Sequence, residues 1–199
     1  MFEDCAGSMC GALPPTGNAL DAIAGVDCTL IDNGKPCAVM QAADFGLRGD
    51  ETRDVLDADA ELMARLEDIR RVARPMTGLG DAADKSVPTV TRVSAPRAGG
   101  ALATRSFSPH RCHASIGVFA AISVATACTL APAPAAALAQ LPEDGHFRIE
   151  HPGGSAEVLL ELDAQGEISR AGTIRTTRKL CDLQETPGFV QVDRDRAPA

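Results

Sequence analysis

From Ala114 to Ala131 the chain runs for 18 residues without a charge, ASIGVFAAISVATACTLA, and stops at Pro132. A stretch that is apolar on every side predicts a helix buried all round, rather than a surface helix with one apolar face. The run just reaches the length of a membrane span. Ser115, Ser123, Thr126, Thr129 and the many alanines favour a core helix instead. If that helix starts near Ala114, its free backbone N–H groups face the polar segment before it and can bind an anion.

The flanking patterns predict a sheet around this helix. In residues 26–43 two apolar runs flank Asp32-Asn33-Gly34-Lys35-Pro36. Asn-Gly supplies the positive φ angles of a tight turn, so the segment reads as a β-hairpin. Residues 44–51 read as a loop. Residues 57–73 read as an amphipathic helix, capped by Asp57 or Asp59, with Leu62, Leu66, Ile69 and Ala73 on one face. Arg70, Arg71 and Arg74 suit its C-terminal dipole, and Pro75 is expected to end it. Residues 87–95 form a short strand, and residues 96–103 a Gly-rich loop leading toward the apolar helix. Further strands are expected at 147–151, 156–162 and 168–175, with turns at 152–154 and 163–166. A basic run follows, Arg175, Arg178 and Lys179. The first 19 residues, rich in Gly and Pro, read as loops with no first strand, and Pro15-Thr16-Gly17-Asn18 as a turn. The sum is α+β: a curved, mainly antiparallel sheet wrapped around a central apolar helix, with a second helix outside.

Composition narrows the function. The chain has 199 residues, 45% of them hydrophobic, with 3% aromatic and neither Trp nor Tyr, so its core is built from Ala, Val, Leu and Ile. Few aromatic rings and a net charge of −8 argue against nucleic acid as a partner. An anionic small molecule remains a suitable ligand, because a local Arg/His cluster can act within an acidic protein. Seven cysteines without a C-x-x-C pair indicate neither a structural zinc site nor a disulfide framework. They read as reduced thiols in a cytoplasmic protein. Cys28, Cys37 and Cys128 lie in apolar runs and read as packing residues. There is no nucleophile elbow, phosphate loop or dinucleotide fingerprint, and no metal or cofactor is expected.

The candidate chemistry lies at the front of the apolar run, His110-Arg111-Cys112-His113-Ala114-Ser115. Arg111 can hold a carboxylate bidentately. His110 or His113 can move a proton near neutral pH. Cys112, beside cations and a helix N-terminus, is expected to have a lowered pKa and to act as a base. The plainer reading has His110 capping a loop, Arg111 in solvent and Cys112 as a small buried apolar residue. Lys35, at the hairpin tip, is either solvated or aimed at a carboxylate.

Several long segments resemble the PrpF-type isomerases: GSMCGALPPTGNALD (7–21), DCTLIDNGKPCAVMQAADFGLRGDE (27–51), FSPHRCHASIGVFAAISVATACTL (107–130), RIEHPGG (148–154) and IRTTRKL (174–180). The resemblance implies cofactor-independent proton transfer on a small polycarboxylate such as 4-oxalomesaconate. It also implies a diaminopimelate epimerase-like fold, in which two lobes face each other across the site. On that basis Thr16, Gly17, Asn18, Lys35, Arg111 and Ser115 would bind substrate, and Cys112, His113 and His110 would be catalytic. Family members carry a further lobe before the PTGN segment, with an Asn-Cys-Gly-Asn type motif that nothing here matches. Thr89 stands where Lys is expected, and Cys181 where an aromatic residue is usual. The expectation is therefore a second lobe alone: residues 1–19 a loop remnant, 20–192 one lobe, 193–199 a disordered tail. Its exposed cleft face would suit a homodimer.

Overall fold

The computed structural model describes residues 1–80, 86–108, 110–163 and 168–174. The expected turn at 163–166 lies mostly outside these residues, and the basic run, Cys181 and the tail lie wholly outside them.

The described residues build one mixed α+β unit on a nine-stranded sheet. The strands are β1 (Phe2–Glu3), β2 (Asp21–Ile23), β3 (Val26–Asp32), β4 (Pro36–Gln41), β5 (Thr89–Ser94), β6 (Leu102–Phe107), β7 (His146–His151), β8 (Gly154–Leu162) and β9 (Ile168–Ile174). Their order across the sheet is β1-β9-β8-β7-β6-β5-β4-β3-β2. The β4/β5 and β6/β7 pairings are parallel. The rest are antiparallel.

The two sides of the sheet follow from the period-2 alternation of strand side chains. Cys28 and Leu30 of β3, with Ala38 and Met40 of β4, join a core cluster with Leu62, Leu66, Ile69 and Ala73. Those four belong to the helix α2 (Ala60–Met76), which follows the short α1 (Arg53–Ala58). Ile31, Cys37 and Val39 turn the other way and pack with the helix α3 (Val118–Cys128). Every residue of α3 from Ala120 to Cys128 is buried. The helix contacts β3, β4, β7, β8 and β9, strands drawn from both ends of the sequence.

Polar anchors fix α3 to the hairpin. The Asn33 backbone N–H donates to Ser123 Oγ at 3.0 Å, and Asn33 Nδ2 donates to Thr126 Oγ1 at 2.9 Å. Ser123 Oγ in turn donates to the Lys35 carbonyl at 2.8 Å. These hydroxyls let the turn dock on the helix without stranding buried polar groups. Gly34 holds φ +92°, and a Cβ there would collide with the Phe119 ring. Gly34→Ala should therefore cost about 1–2 kcal/mol, the usual cost of a left-handed conformation with a side chain. Urea unfolding of the variant beside the wild type measures it.

Five expectations are corrected. The apolar run becomes helical at Val118, not near Ala114, because the chain bends at Ala114 and Ser115 and Gly117 is an extended N-cap at ψ 150°. Leu102 and Ala103, expected within the 96–103 loop, instead open β6, which runs to Phe107. The first residues form a strand after all, since Phe2 and Glu3 pair with Ala171 and Arg170. Residues 57–73 divide into two helices at Asp59, whose side chain caps α2 through Leu62 N–H at 2.9 Å. Pro75 then lies inside the last turn of α2, where the Thr77 N–H still reaches the carbonyls of Ala73 and Arg74.

Candidate functional site

The N-terminus of α3 opens on a cavity of about 480 Å³ lined by Ser115, Ile116, Val118, His151, Ser155 and Glu157, with Thr173 and Ile174 of β9. Gly117 offers no side chain to cap the helix. The first-turn N–H groups of α3 therefore have neither an intrahelical acceptor nor a side-chain cap. Together with the helix dipole they favour a negative charge at this end.

His151 ends β7, and its turn is pressed against the segment that leads into α3. A Cβ on Gly153 would lie 2.8 Å from the Ala114 carbonyl oxygen, so only glycine allows this approach. Nδ1 of His151 accepts the Gly153 N–H at 3.2 Å, which leaves the ring proton of the neutral imidazole on Nε2. Burial holds the His151 pKa below the usual histidine value, and the nearby Arg105 charge acts in the same direction. Backbone contacts with Ala114 and Ser155 oppose the shift in part. The ring is thus mainly neutral near pH 7, and can act as donor or acceptor.

The residues singled out from the sequence do not converge here as a group. Ser115 lines the cavity. His110, Arg111 and His113 are exposed on the segment before it. His110 lies near Glu67 of α2, and its charge contributes to lowering that carboxyl's pKa. Cys112 is 1% exposed and belongs to the α2 side of the sheet, packed in the cluster with Leu56 and Phe107. Its backbone is clamped there: the N–H donates to Asp57 Oδ1 at 2.7 Å, and the carbonyl accepts from Arg53 Nε at 3.0 Å. The expected lowering of its pKa is reversed. Burial pushes the Cys112 thiol up, and the charges of Arg105, Arg92 and Arg53 do not overcome it. Cys28, Cys37 and Cys128 are buried as packing residues, with the Cys37 and Cys128 thiols pushed up to about 12 by desolvation.

The PTGN turn is ordered by its own contacts. Thr16 Oγ1 donates to Asp21 Oδ2 at 2.7 Å, and Asn18 Nδ2 donates to Asp21 Oδ1 at 3.0 Å. Thr16, Gly17 and Asn18 are not among the residues lining the α3 cavity, nor is Lys35, which is half-buried in its turn. The sequence reading missed His151, Ser155, Glu157 and Thr173. Its one available signal was the RIEHPGG segment, where a histidine stands directly before a Pro-Gly-Gly turn.

Among the described residues, no helix is long and apolar enough to cross a membrane. No group of three or more His, Cys, Asp or Glu among them could hold a metal ion.

The PrpF protein family model matches residues 1–187. A (4E)-oxalomesaconate Delta-isomerase from Novosphingobium sp. (strain KA1) is 52% identical over 183 residues, covering 91% of this chain and 51% of that protein. A 4-oxalomesaconate tautomerase from Pseudomonas putida is 46% identical over 196 residues, covering 98% of this chain and 53% of that protein. A crystal structure of methylitaconate-delta-isomerase shares the fold, with a TM-score of 0.76 and 23% identity over 87% of this chain and 52% of that one. The chain thus spans about half the length of the relatives it matches. With a family match running through nearly all of its sequence, and two relatives near one-half identity, this chain belongs to the PrpF family.

Proposed function

We propose that this chain supplies one half of a cofactor-independent isomerase that shifts a proton on a small polycarboxylate such as 4-oxalomesaconate. The observation that carries the reading is the cavity at the uncapped N-terminus of α3, lined by Ser115, Ser155 and the half-buried His151. On this reading the sheet wraps α3 as one lobe of a diaminopimelate epimerase-like fold, in the cytoplasm. The first-turn N–H groups and the Ser115 hydroxyl hold a substrate carboxylate. Tautomerisation breaks an enol O–H and forms a C–H on the adjacent carbon, so it redistributes one proton and needs no oxidant. His151, neutral and with a fixed tautomer, takes or gives that proton at Nε2. His113, exposed two residues before Ser115, is the second proton carrier of this half. A 2-methylaconitate-type substrate would use the same carboxylate contacts.

The coverage of about half of each relative favours a second point: this half is catalytically incomplete alone, and pairs with another copy through the cleft face. The test is the loss of enol absorbance of 4-oxalomesaconate in the ultraviolet, with sedimentation at the same protein concentrations. Turnover should exceed the buffer rate but fall roughly 100-fold or more below that of the Pseudomonas putida tautomerase, the scale of one missing acid–base group. No rate above buffer overturns the isomerase reading. Turnover equal to the relative's overturns the incompleteness. A monomer at every concentration overturns the pairing.

A further inference from the structure

A second cavity, of about 310 Å³, lies beside the first and shares His151 and Ser155 with it. Three arginines line it, Arg97, Arg105 and Arg148. Their partners differ in kind. Arg97 pairs with Asp50 Oδ2 at 2.8 Å. Arg148 lies 3.7 Å from Glu157 and donates to Ser155 Oγ at 3.2 Å. Asp50 and Glu150 also line the cavity, Asp50 paired with Arg97 and Glu150 held by the backbone N–H groups of Arg97, Ala98 and Gly100. Arg105 has no carboxylate partner among the described residues. Nε donates to the Glu51 carbonyl at 3.0 Å and Nη1 to the Thr104 carbonyl at 2.9 Å. Two neutral acceptors hold the guanidinium in place without matching its charge. A half-buried cation fixed by carbonyls, on the wall of a cavity, is preorganised for an anion.

We propose that Arg105 forms a second carboxylate subsite, so that the ligand is a di- or tricarboxylate lying across the His151–Ser155 ridge. One carboxylate sits at the α3 N-terminus and Ser115, and another reaches Arg105. This rests on the reading of the first cavity as the substrate site, and it selects multiply charged acids over monocarboxylates.

Binding is measured by calorimetry on the full chain, with propane-1,2,3-tricarboxylate and propionate as probes. The wild type should bind the tricarboxylate at least about tenfold more tightly than propionate, and Arg105→Gln should weaken the tricarboxylate about 10–100-fold, the usual scale for a charged hydrogen bond. Arg105→Lys should recover part of the loss. Arg65→Gln, which alters an exposed arginine over the Phe45 ring, should change nothing. Equal tricarboxylate binding by the wild type and Arg105→Gln overturns the subsite and leaves the isomerase reading intact. So does a wild type that prefers neither probe. If Arg105→Gln fails to fold, the wild-type His151 ring-proton resonance decides: it should move with tricarboxylate and not with propionate, and no movement overturns the proposal. Arg105-dependent binding without enol turnover would keep the subsite and overturn the isomerase reading.

Discussion

Replacing Arg92 with methionine should make the protein more stable, not less. Arg92 lies on β5, opposite Arg105 of β6, and is 1% exposed. Among the described residues, Nε, Nη1 and Nη2 have no hydrogen-bond partner. Its guanidinium carbon stands 4.8 Å from the centre of the Phe107 ring, which supplies a cation–π contact. The Glu51 and Asp59 charges offset part of the cost of burial. They do not offset all of it, since desolvation still lowers the guanidinium pKa to about 10. Apolar replacement of buried ionic groups is neutral to stabilising by about 1–4 kcal/mol when volume is kept. Methionine gives up the cation–π contact and is two atoms shorter, but its unbranched, flexible chain can fill the space beside Phe107, so Arg92→Met should gain about 2 kcal/mol by that reasoning. For a chain of this size that corresponds to roughly 4–8 °C in Tm. A fall in Tm would show that the guanidinium contributes more than burial removes from it.

Glu150→Ala should have the opposite sign and a larger size. Glu150 is 8% exposed, and its two oxygens accept three backbone N–H groups of the 97–100 loop at 2.7–2.9 Å. Removing the carboxylate takes the acceptor from all three donors, of which Gly100 is buried against Arg148 and Glu150. The loss should be about 3–4 kcal/mol, since hydrogen bonds to charged groups contribute roughly 1.5–3 kcal/mol each and are not fully additive. Glu150→Gln keeps one acceptor oxygen and should lose less. The carboxyl also carries a pH signature. Burial pushes its pKa up, but the N–H groups of Arg97, Gly100 and Ala98 hold it below the ordinary glutamate value overall. A lowered carboxyl pKa contributes stability that is fully present above the unfolded value and is lost as pH falls through the folded one. Acid unfolding of the wild type should therefore include a component below the ordinary glutamate range that Glu150→Gln lacks. Identical acid profiles, measured by circular dichroism, would refute the assignment.

Local chemistry made parts of the fold legible in the sequence. The Asn33-Gly34 turn announced its hairpin because its backbone angles demand those residues. The α3 run was legible because no residue in it is charged. By contrast β6 was hidden, since Thr104, Arg105 and Ser106 break the apolar alternation. Those residues are tolerated inside because of partners distant in sequence: Thr104 Oγ1 donates to the Glu150 carbonyl, and Ser106 Oγ shares a hydrogen bond with Thr91 Oγ1. The placement of the candidate residues was hidden in the same way. Cys112 and Ser115 are three residues apart, yet β6 and its bridge to Cys112 send them to opposite sides of the sheet. His151 meets the Ser115 segment only through tertiary packing, and adjacency in sequence carried no trace of it.

The sheet's outermost strands bear on how copies of this chain can meet. Among the described residues the sheet ends in β1, two residues long, and β2, three residues long. Stubs of that length expose few unpaired backbone groups and give an incoming strand little to zip against. Among the described residues, β1 and β2 are therefore poor templates for continuous strand-to-strand growth, the route to fibrous aggregates. Association through side chains on the faces of the unit is favoured instead, where it can be specific and can close.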